Sequence, residues 1–197
     1  EDGVLTKWNG KLISVDEKDA DGNYVIPNHE EALKMLNEDY KPGIEALMSE
    51  VIGYSEIELN GVRADVRTKE TNLGNLIADG MLHAAKKIDP TVVMALQNGG
   101  GIRDSINEGD VTLGEVLTVL PFNNDLVTVK MTGAEIISAL ENGVSKTPSA
   151  DGRFPHLAGA RFDYDSKKPE GSRVVRVQIL ENGKYVNIVP SKYYMVA

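Results

Sequence analysis

Val92-Val93-Met94-Ala95-Leu96-Gln97-Asn98-Gly99-Gly100-Gly101-Ile102-Arg103 is the stretch on which the fold turns. Its first five residues are apolar without alternation, the pattern of a strand covered on both faces. It then runs straight into three glycines, which carry no Cβ and allow another group to approach the main chain. A junction of this kind is either a tight turn or a place where backbone N–H groups lie bare for a ligand. It is not a Walker loop, because no Gly-Lys-Ser/Thr follows, and its spacing is not that of the dinucleotide fingerprint. Asn98 in front and Arg103 behind tilt the reading toward a ligand, since both side chains recognise polar groups.

Outward from this strand, residues 72–87 place Leu73, Leu76, Ile77, Met81 and Ala84 on one helical face. Residues 54–59 alternate as a half-exposed strand before a turn at Asn60-Gly61. Further upstream, Asn28 reads as a helix N-cap with Glu31 in the capping-box position. Leu33, Leu36, Tyr40, Ile44, Leu47 and Val51 then follow at spacings of three and four. The phase survives Pro42-Gly43, so this is one kinked helix or two nearly collinear ones. Residues 1–27 read as short irregular strands, with weak alternation over 11–15 and a turn cluster at 19–23.

Downstream, Thr112 with Glu115 and Thr132 with Glu135 form two capping boxes. The first opens a short helix ending at Pro121; the second opens one carrying Ile136, Ile137, Leu140 and Val144. Residues 125–131, 158–164 and 173–180 read as strands, then a turn at 181–184, then a final strand from Tyr193. Helices and strands mix without strict alternation. The expected fold is therefore α+β, a mixed β-sheet domain packed with helices and preceded by a long linking helix. The chain divides into residues 1–27, a connecting helix over 28–53, and a domain over 54–197.

Composition bounds the function. The 197 residues are 41% hydrophobic and 26% charged, ordinary for a globular chain. Lys and Arg total 21 against 30 Asp and Glu, a net charge of -9. That excludes a nucleic-acid binder, which needs a basic face, but a few arginines in one pocket can still hold a small anion. The absence of cysteine excludes disulfides, thiolate catalysis and Cys-ligated zinc. No apolar run approaches the roughly twenty residues of a membrane span, and no signal peptide is visible. Glu1 and the strand-like run ending at Ala197 both read as cut from something longer.

The candidate ligand residues are few. Arg63 and Arg67 stand directly before the helix start at Thr71-Asn72. Surface arginines on an acidic protein are ordinarily just solvated. Phe122 follows Pro121 and precedes Asn123-Asn124. A phenylalanine at a helix end belongs to the core more often than to a ligand platform, but one exposed beside a glycine loop would stack on a flat ring. Asp104 and Asp110 could orient Arg103. His29, His83 and His156 are scattered without His-x-His or His-Glu-x-x-His spacing, so no metal site is read from them. Ser-centred hydrolysis and a catalytic carboxylate pair have no motif here.

Taken in order, Glu70-Thr71-Asn72-Leu73-Gly74-Asn75, Asn98-Gly99-Gly100-Gly101-Ile102-Arg103, Asp110-Val111-Thr112, Val119-Leu120-Pro121-Phe122, Leu126-Val127 and Met131-Thr132-Gly133 closely resemble the C-terminal domain of the 5′-nucleotidase and UDP-sugar hydrolase family. The resemblance runs from about Arg63 to Ala197. It implies that residues 1–27 are the exit from a metallophosphatase domain and that the helix from Asn28 is the interdomain connection. In that family the N-terminal domain binds two divalent metals and hydrolyses the phosphoester, and the C-terminal domain holds the nucleoside.

Carried over by position, Phe122 matches one aromatic plate of the base clamp. Arg67 and Arg103 match arginines on the ribose and phosphate side, and Arg63 a further arginine of some members. Asn98 matches a residue that bonds the base edge, and Gly101 offers backbone beside it. The second aromatic plate and a Gly-Gly-Asp motif lie beyond the matched stretch, as do the metal ligands. The resemblance therefore implies a nucleotide- or nucleoside-recognition domain of a secreted, cell-surface or periplasmic hydrolase. As an isolated chain it would be non-catalytic and without its own cofactor, its partner being a domain that carries the metal pair. A non-enzymatic interaction domain retaining the fold, and cyclic-nucleotide or UDP-sugar specificity, are the alternatives.

Overall fold

The computed structural model describes residue 3 and residues 6–197. These divide into two units, Glu1–Ala46 and Leu47–Ala197. Residues 1, 2, 4 and 5 of the expected 1–27 segment lie outside the described residues.

In the first unit, the weak strand expected over 11–15 is not formed. Leu12, Ile13 and Val15 are exposed, and two-residue alternation without a pairing strand has no ladder to join. The turn at 19–23 does form, closed by a bridge between Lys18 and Tyr24, with Asp19 Oδ1 accepting from the N–H groups of Asp21 and Asn23. The helix begins one residue later than the expected Asn28 cap: α1 is Glu30–Met35, its N-cap is His29, and no side chain caps it. α1 continues through a π-turn at Leu36–Tyr40 into α2, Lys41–Met48. The π-turn precedes Pro42, whose missing N–H interrupts the helical ladder, so the irregularity has a local cause. Val51 does not extend this helix; it starts β1, Val51–Ser55.

The second unit holds three sheets. A mixed four-stranded sheet has the order β4 (Val129–Thr132), β9 (Tyr193–Val196), β2 (Val92–Asn98), β5 (Pro155–Ala158). β9 runs parallel to β2, and the other pairs are antiparallel. β6 (Ala160–Tyr164), β7 (Val174–Glu181) and β8 (Lys184–Asn187) form an antiparallel sheet, and β1 pairs with β3 (Gly109–Thr112). The helices are α3 (Asn72–Ile88), α4 (Leu113–Val119) and α5 (Gly133–Val144). Both threonine capping boxes form, at α4 and α5. The class is α+β, as expected.

β2 is covered on both faces, as its unbroken apolar run requires. Val92 and Ala95 pack with Ala78, Leu82 and Ala85 of α3. Met94 packs with Ile136 and Leu140 of α5 and with Val177 and Ile179 of β7.

Several boundaries differ from the reading of the sequence. The strand expected over 54–59 ends at Ser55, with Leu59 making only an isolated bridge to Ile106. That expected over 125–131 is confined to Val129–Thr132. The one expected over 158–164 is two strands, broken at Gly159, which adopts φ +70 and leaves no room for a side chain beside the Val93 carbonyl. On α3, Leu76 and Ala84 are exposed, and the buried face is Leu73, Gly74, Ala78, Leu82 and Ala85. The helix turns its small residues inward because the sheet approaches closely; Gly74 lies against the ring of His156.

His156, on β5, is 2% exposed. Its Nε2 donates to the Val66 carbonyl at 2.8 Å, which leaves Nδ1 as the unprotonated nitrogen, with no partner, in the wall against Gly74. Burial pushes its pKa below the ordinary histidine value, and the Val66 carbonyl and Glu70 push partly back.

Two predictions follow from this packing. Gly74→Ala forces a methyl into the imidazole and destabilises by about 1–3 kcal/mol. On the same helix Gly80→Ala, which meets nothing within 4 Å, stabilises by up to about 1 kcal/mol. Urea midpoints of the two variants should move in opposite directions, and a shared direction refutes the packing account. For His156, the unfolded chain takes up a proton near pH 6.5 while the folded chain does so only at lower pH. Its contribution is therefore complete above about pH 6.5 and lost as pH falls through the depressed folded value. His156→Gln should shrink the loss of urea midpoint between about pH 7.5 and pH 5; an unchanged loss means the imidazole is not the proton acceptor.

Candidate functional site

Residues 62–69 carry the first two arginines. They form helical turns, with the N–H groups of Val66 and Lys69 donating to the carbonyls of Val62 and Asp65. Arg63 and Arg67, four residues apart, share a face through helical i, i+4 spacing. Val66 between them is fully buried. Its carbonyl accepts from His156 and lies against Gly99, so closely that a side chain at position 99 would overlap it. The arginine turn is thus docked directly on the glycine run.

The run itself is a 3₁₀ turn, Gly99–Gly101. Its amides are less bare than the sequence suggested. The Gly99 N–H donates to the Phe154 carbonyl at 2.7 Å and the Gly100 N–H to the Gly152 carbonyl at 2.8 Å. The glycines at 99 and 100 serve close packing against neighbouring backbone. Asn98 also donates to the Gly152 carbonyl, through Nδ2 at 3.1 Å, which holds its exposed side chain toward the 152 loop.

Arg103 leaves this turn with its N–H bonded to the Val119 carbonyl. Its guanidinium donates to the Gly100 carbonyl at 3.3 Å and lies 5.7 Å from the centre of the Phe122 ring. Backbone and ring therefore orient it. Asp104, expected to do so, accepts from the Ser105 N–H, and among the described residues neither Asp104 nor Asp110 pairs with Arg103.

Arg67 is the least ordinary residue of the group. It is 9% exposed, and its Nε has no hydrogen-bond partner. Burial lowers its pKa, and repulsion from Arg63 and Arg103 lowers it further, against a smaller pull from Asp151. Asp151 is itself engaged by Arg153 at 2.9 Å. Arg67 thus lies among two like charges and one carboxylate already held by Arg153, in a protein of net charge -9. That local excess of donors and charge suits an anion or a hydroxyl-rich group.

Phe122 stands in the irregular stretch after α4 and is 51% exposed. It is not a core residue, whereas Phe154, at 4%, is one, packed edge-on to His156 and Tyr164. Phe122 borders a cleft of about 180 Å³ with Gly101, Gln97 and Asn124, over an apolar floor that includes Ile77 and Leu120. Arg103 joins the two halves of the site, touching Gly100 on one side and Phe122 on the other. Gln97, Asn124 and Asp125 were not singled out from sequence. Gln97 carried a signal, as the one polar residue between the apolar run and Asn98. Ile77 was read as core, and it reaches this cleft because α3 is rotated from the expected face.

His29 and His83 are exposed. Among the described residues no three His, Asp or Glu side chains converge to hold a metal ion. No described helix is long and apolar enough to cross a membrane.

The family described as 5′-nucleotidase, C-terminal domain, matches residues 51–197. The trifunctional nucleotide phosphoesterase protein YfkN of Bacillus subtilis is 41% identical over 200 residues, which cover 100% of this chain and 13% of that protein. A 5′-nucleotidase of Vibrio parahaemolyticus is 37% identical over 140 residues, covering 71% of this chain and 24% of that one. The crystal structure of a 5′-nucleotidase precursor from Thermus thermophilus superposes with TM-score 0.78 at 40% identity, covering 91% of this chain and 38% of that chain. An NAD nucleotidase of Haemophilus influenzae superposes with TM-score 0.64 at 25% identity, covering 91% and 37%. The chain therefore spans between about an eighth and two fifths of these relatives' lengths. The match over residues 51–197, with Phe122, the glycine turn and the arginine cluster inside it, places this chain in the 5′-nucleotidase family as its C-terminal domain.

Proposed function

We propose that residues 47–197 recognise the nucleoside and phosphate-bearing part of a nucleotide for a phosphoester hydrolase. Metal-dependent hydrolysis belongs to a metallophosphatase domain of the same protein, and this chain alone binds without catalysing. The reading places the base on Phe122 and the ribose and phosphate side toward Arg67 and Arg103, with Arg63 and Asn98 at the margin. The observation that carries it is Arg67, a buried guanidinium with an unpartnered Nε, set among two further arginines beside an exposed aromatic ring. A guanidinium crowded by two like charges and drawn only weakly by Asp151 would be stabilised by an incoming anion or hydroxyl acceptor. Relatives named as nucleotide phosphoesterase and 5′-nucleotidases support the substrate class. A relative named snake venom 5′-nucleotidase supports action outside the cytoplasm.

One ring limits affinity. Stacking a base on an aromatic side chain contributes roughly 1–3 kcal/mol. The cleft is smaller than the roughly 300–1,000 Å³ typical of pockets that bury a drug-sized ligand. Association costs offset much of what the arginines add. The expected dissociation constant is about 1 mM, near -4 kcal/mol.

The test is a titration of this chain with AMP and adenosine, followed through the backbone amides of Gly101 and Phe122. AMP should bind more tightly than adenosine, with a margin that falls as salt rises. Phe122→Ala should weaken both ligands about tenfold or more, consistent with a loss of roughly 1–3 kcal/mol of stacking. Arg67→Met, which keeps the packing of the stem, should remove most of the AMP margin. Amides that do not move with either nucleotide would refute the reading in favour of an interaction domain. Turnover of AMP by the purified chain with added Mn²⁺ or Zn²⁺, lost in Arg103→Ala, would refute the assignment of catalysis to another domain.

A further inference from the structure

Gln97 ends the apolar run of β2 at the wall of the Phe122 cleft. Its amide has one orientation. Nε2 donates to the Asn98 carbonyl at 3.0 Å and faces Asn98 Oδ1 at 3.5 Å, so the NH₂ group is turned toward two acceptors. The reversed amide would set Oε1 against both oxygens and lose the bond. The same NH₂ group lies beside Gly101, where a side chain would overlap its present position. The polar atom that Gln97 has left to offer is therefore Oε1, which accepts and cannot donate, and which has no partner among the described residues. Asp125 adds a carboxylate to the same cleft, again an acceptor, while Asn124 can present either sense.

We propose that Gln97 is a specificity-determining residue: Oε1 accepts a hydrogen bond from the exocyclic amino group of a base stacked on Phe122. The cleft then favours the amino-bearing bases adenine and cytosine over the keto-bearing hypoxanthine and uracil. This rests on the reading that the Phe122 cleft holds the base. A keto oxygen in the same place meets Oε1 lone pair to lone pair, and both acceptors lose water without gaining a donor. The discrimination comes as much from that mismatch as from the bond made in the matched case.

The test compares this chain and its Gln97→Leu variant in titrations with adenosine, purine riboside and inosine, read at the Gly101 and Phe122 amides. Cytidine against uridine repeats the amino-to-keto exchange on a smaller ring. Purine riboside lacks both the amino and the keto group, so it separates the loss of a donor from the addition of an acceptor. The unmodified chain should bind adenosine roughly three- to tenfold more tightly than inosine, with purine riboside between them. In Gln97→Leu the three purine ligands should converge, while ring-dependent shifts at Phe122 persist. Adenosine and inosine of equal affinity in the unmodified chain would overturn the role of Gln97 and leave the cleft as the base site. A preference that survives in Gln97→Leu would do the same. If none of the five nucleosides moves these amides, the base-site reading falls and this inference with it.

Discussion

The carbonyl of Val66 is the point on which the site is hung. It is one acceptor, buried between two arginines in sequence, and it is satisfied by the imidazole of His156 from across the sheet. A buried carbonyl left unsatisfied costs about 1–3 kcal/mol, so the bond is obligatory once the turn is buried. Everything adjacent is shaped by it. His156 must be neutral to donate from Nε2 and leave Nδ1 bare, which the low-polarity surroundings enforce. Gly74 must lack a side chain so that the ring fits under α3, and Gly99 must lack one so that the carbonyl fits over the glycine turn. The arginine turn, the helix N-terminus and the end of β2 thereby meet at this bonded pair, with Tyr164 Oη adding a second bond to the turn at the Thr68 carbonyl.

That fixation explains how a protein of net charge -9 sustains three neighbouring arginines. Left free, long side chains of like charge move apart into water. Arg67 cannot, because Val66 before it is fully buried and the turn is docked. Arg103 is held by the Gly100 carbonyl and the Phe122 ring rather than by a carboxylate, so its positive charge is not cancelled where it stands. The acidic surface elsewhere reduces the cost of this concentration only at long range, where salt screens it. What remains at Arg67 is an unpartnered Nε and a guanidinium pKa pushed downward by burial and by Arg63 and Arg103.

What the sequence made legible, and what it did not, follows the range of the interactions involved. The β2 run, both threonine capping boxes and the α+β class depend on patterns within a few residues, and they appear as expected. The rotation of α3 is not legible from the spacing of apolar residues, because Gly74 and Ala78 face inward where the sheet comes nearest. The Asn28 cap failed because a capping side chain competes with neighbouring conformations that pattern alone does not rank. At the site, the glycine turn, Arg103 and Phe122 were conspicuous as types. The bond between Val66 and His156 was not, since 90 residues separate its ends and nothing local marks either. Gln97 was overlooked for the opposite reason: it sits inside a motif whose glycines and arginine drew the attention.

In the proposed site Arg103 lies between two kinds of contact, the Phe122 ring and the arginine cluster. Aromatic stacking is tolerant of base identity, because every base has a π-face. Arginine contacts are tolerant as well, because phosphate and ribose are common to all nucleotides. A domain made of these two alone would bind nucleotides as a class. Discrimination needs a polar atom of fixed sense at the edge of the stacked ring, and fixed sense requires that the atom's own group be anchored elsewhere. The Gln97 amide is anchored by the backbone at Asn98, in the turn whose Gly100 carbonyl holds Arg103, whose guanidinium in turn lies over Phe122. One backbone segment, 97–103, therefore positions both the Gln97 amide and the Arg103 guanidinium, and the guanidinium in turn meets the Phe122 ring from a separate stretch of chain.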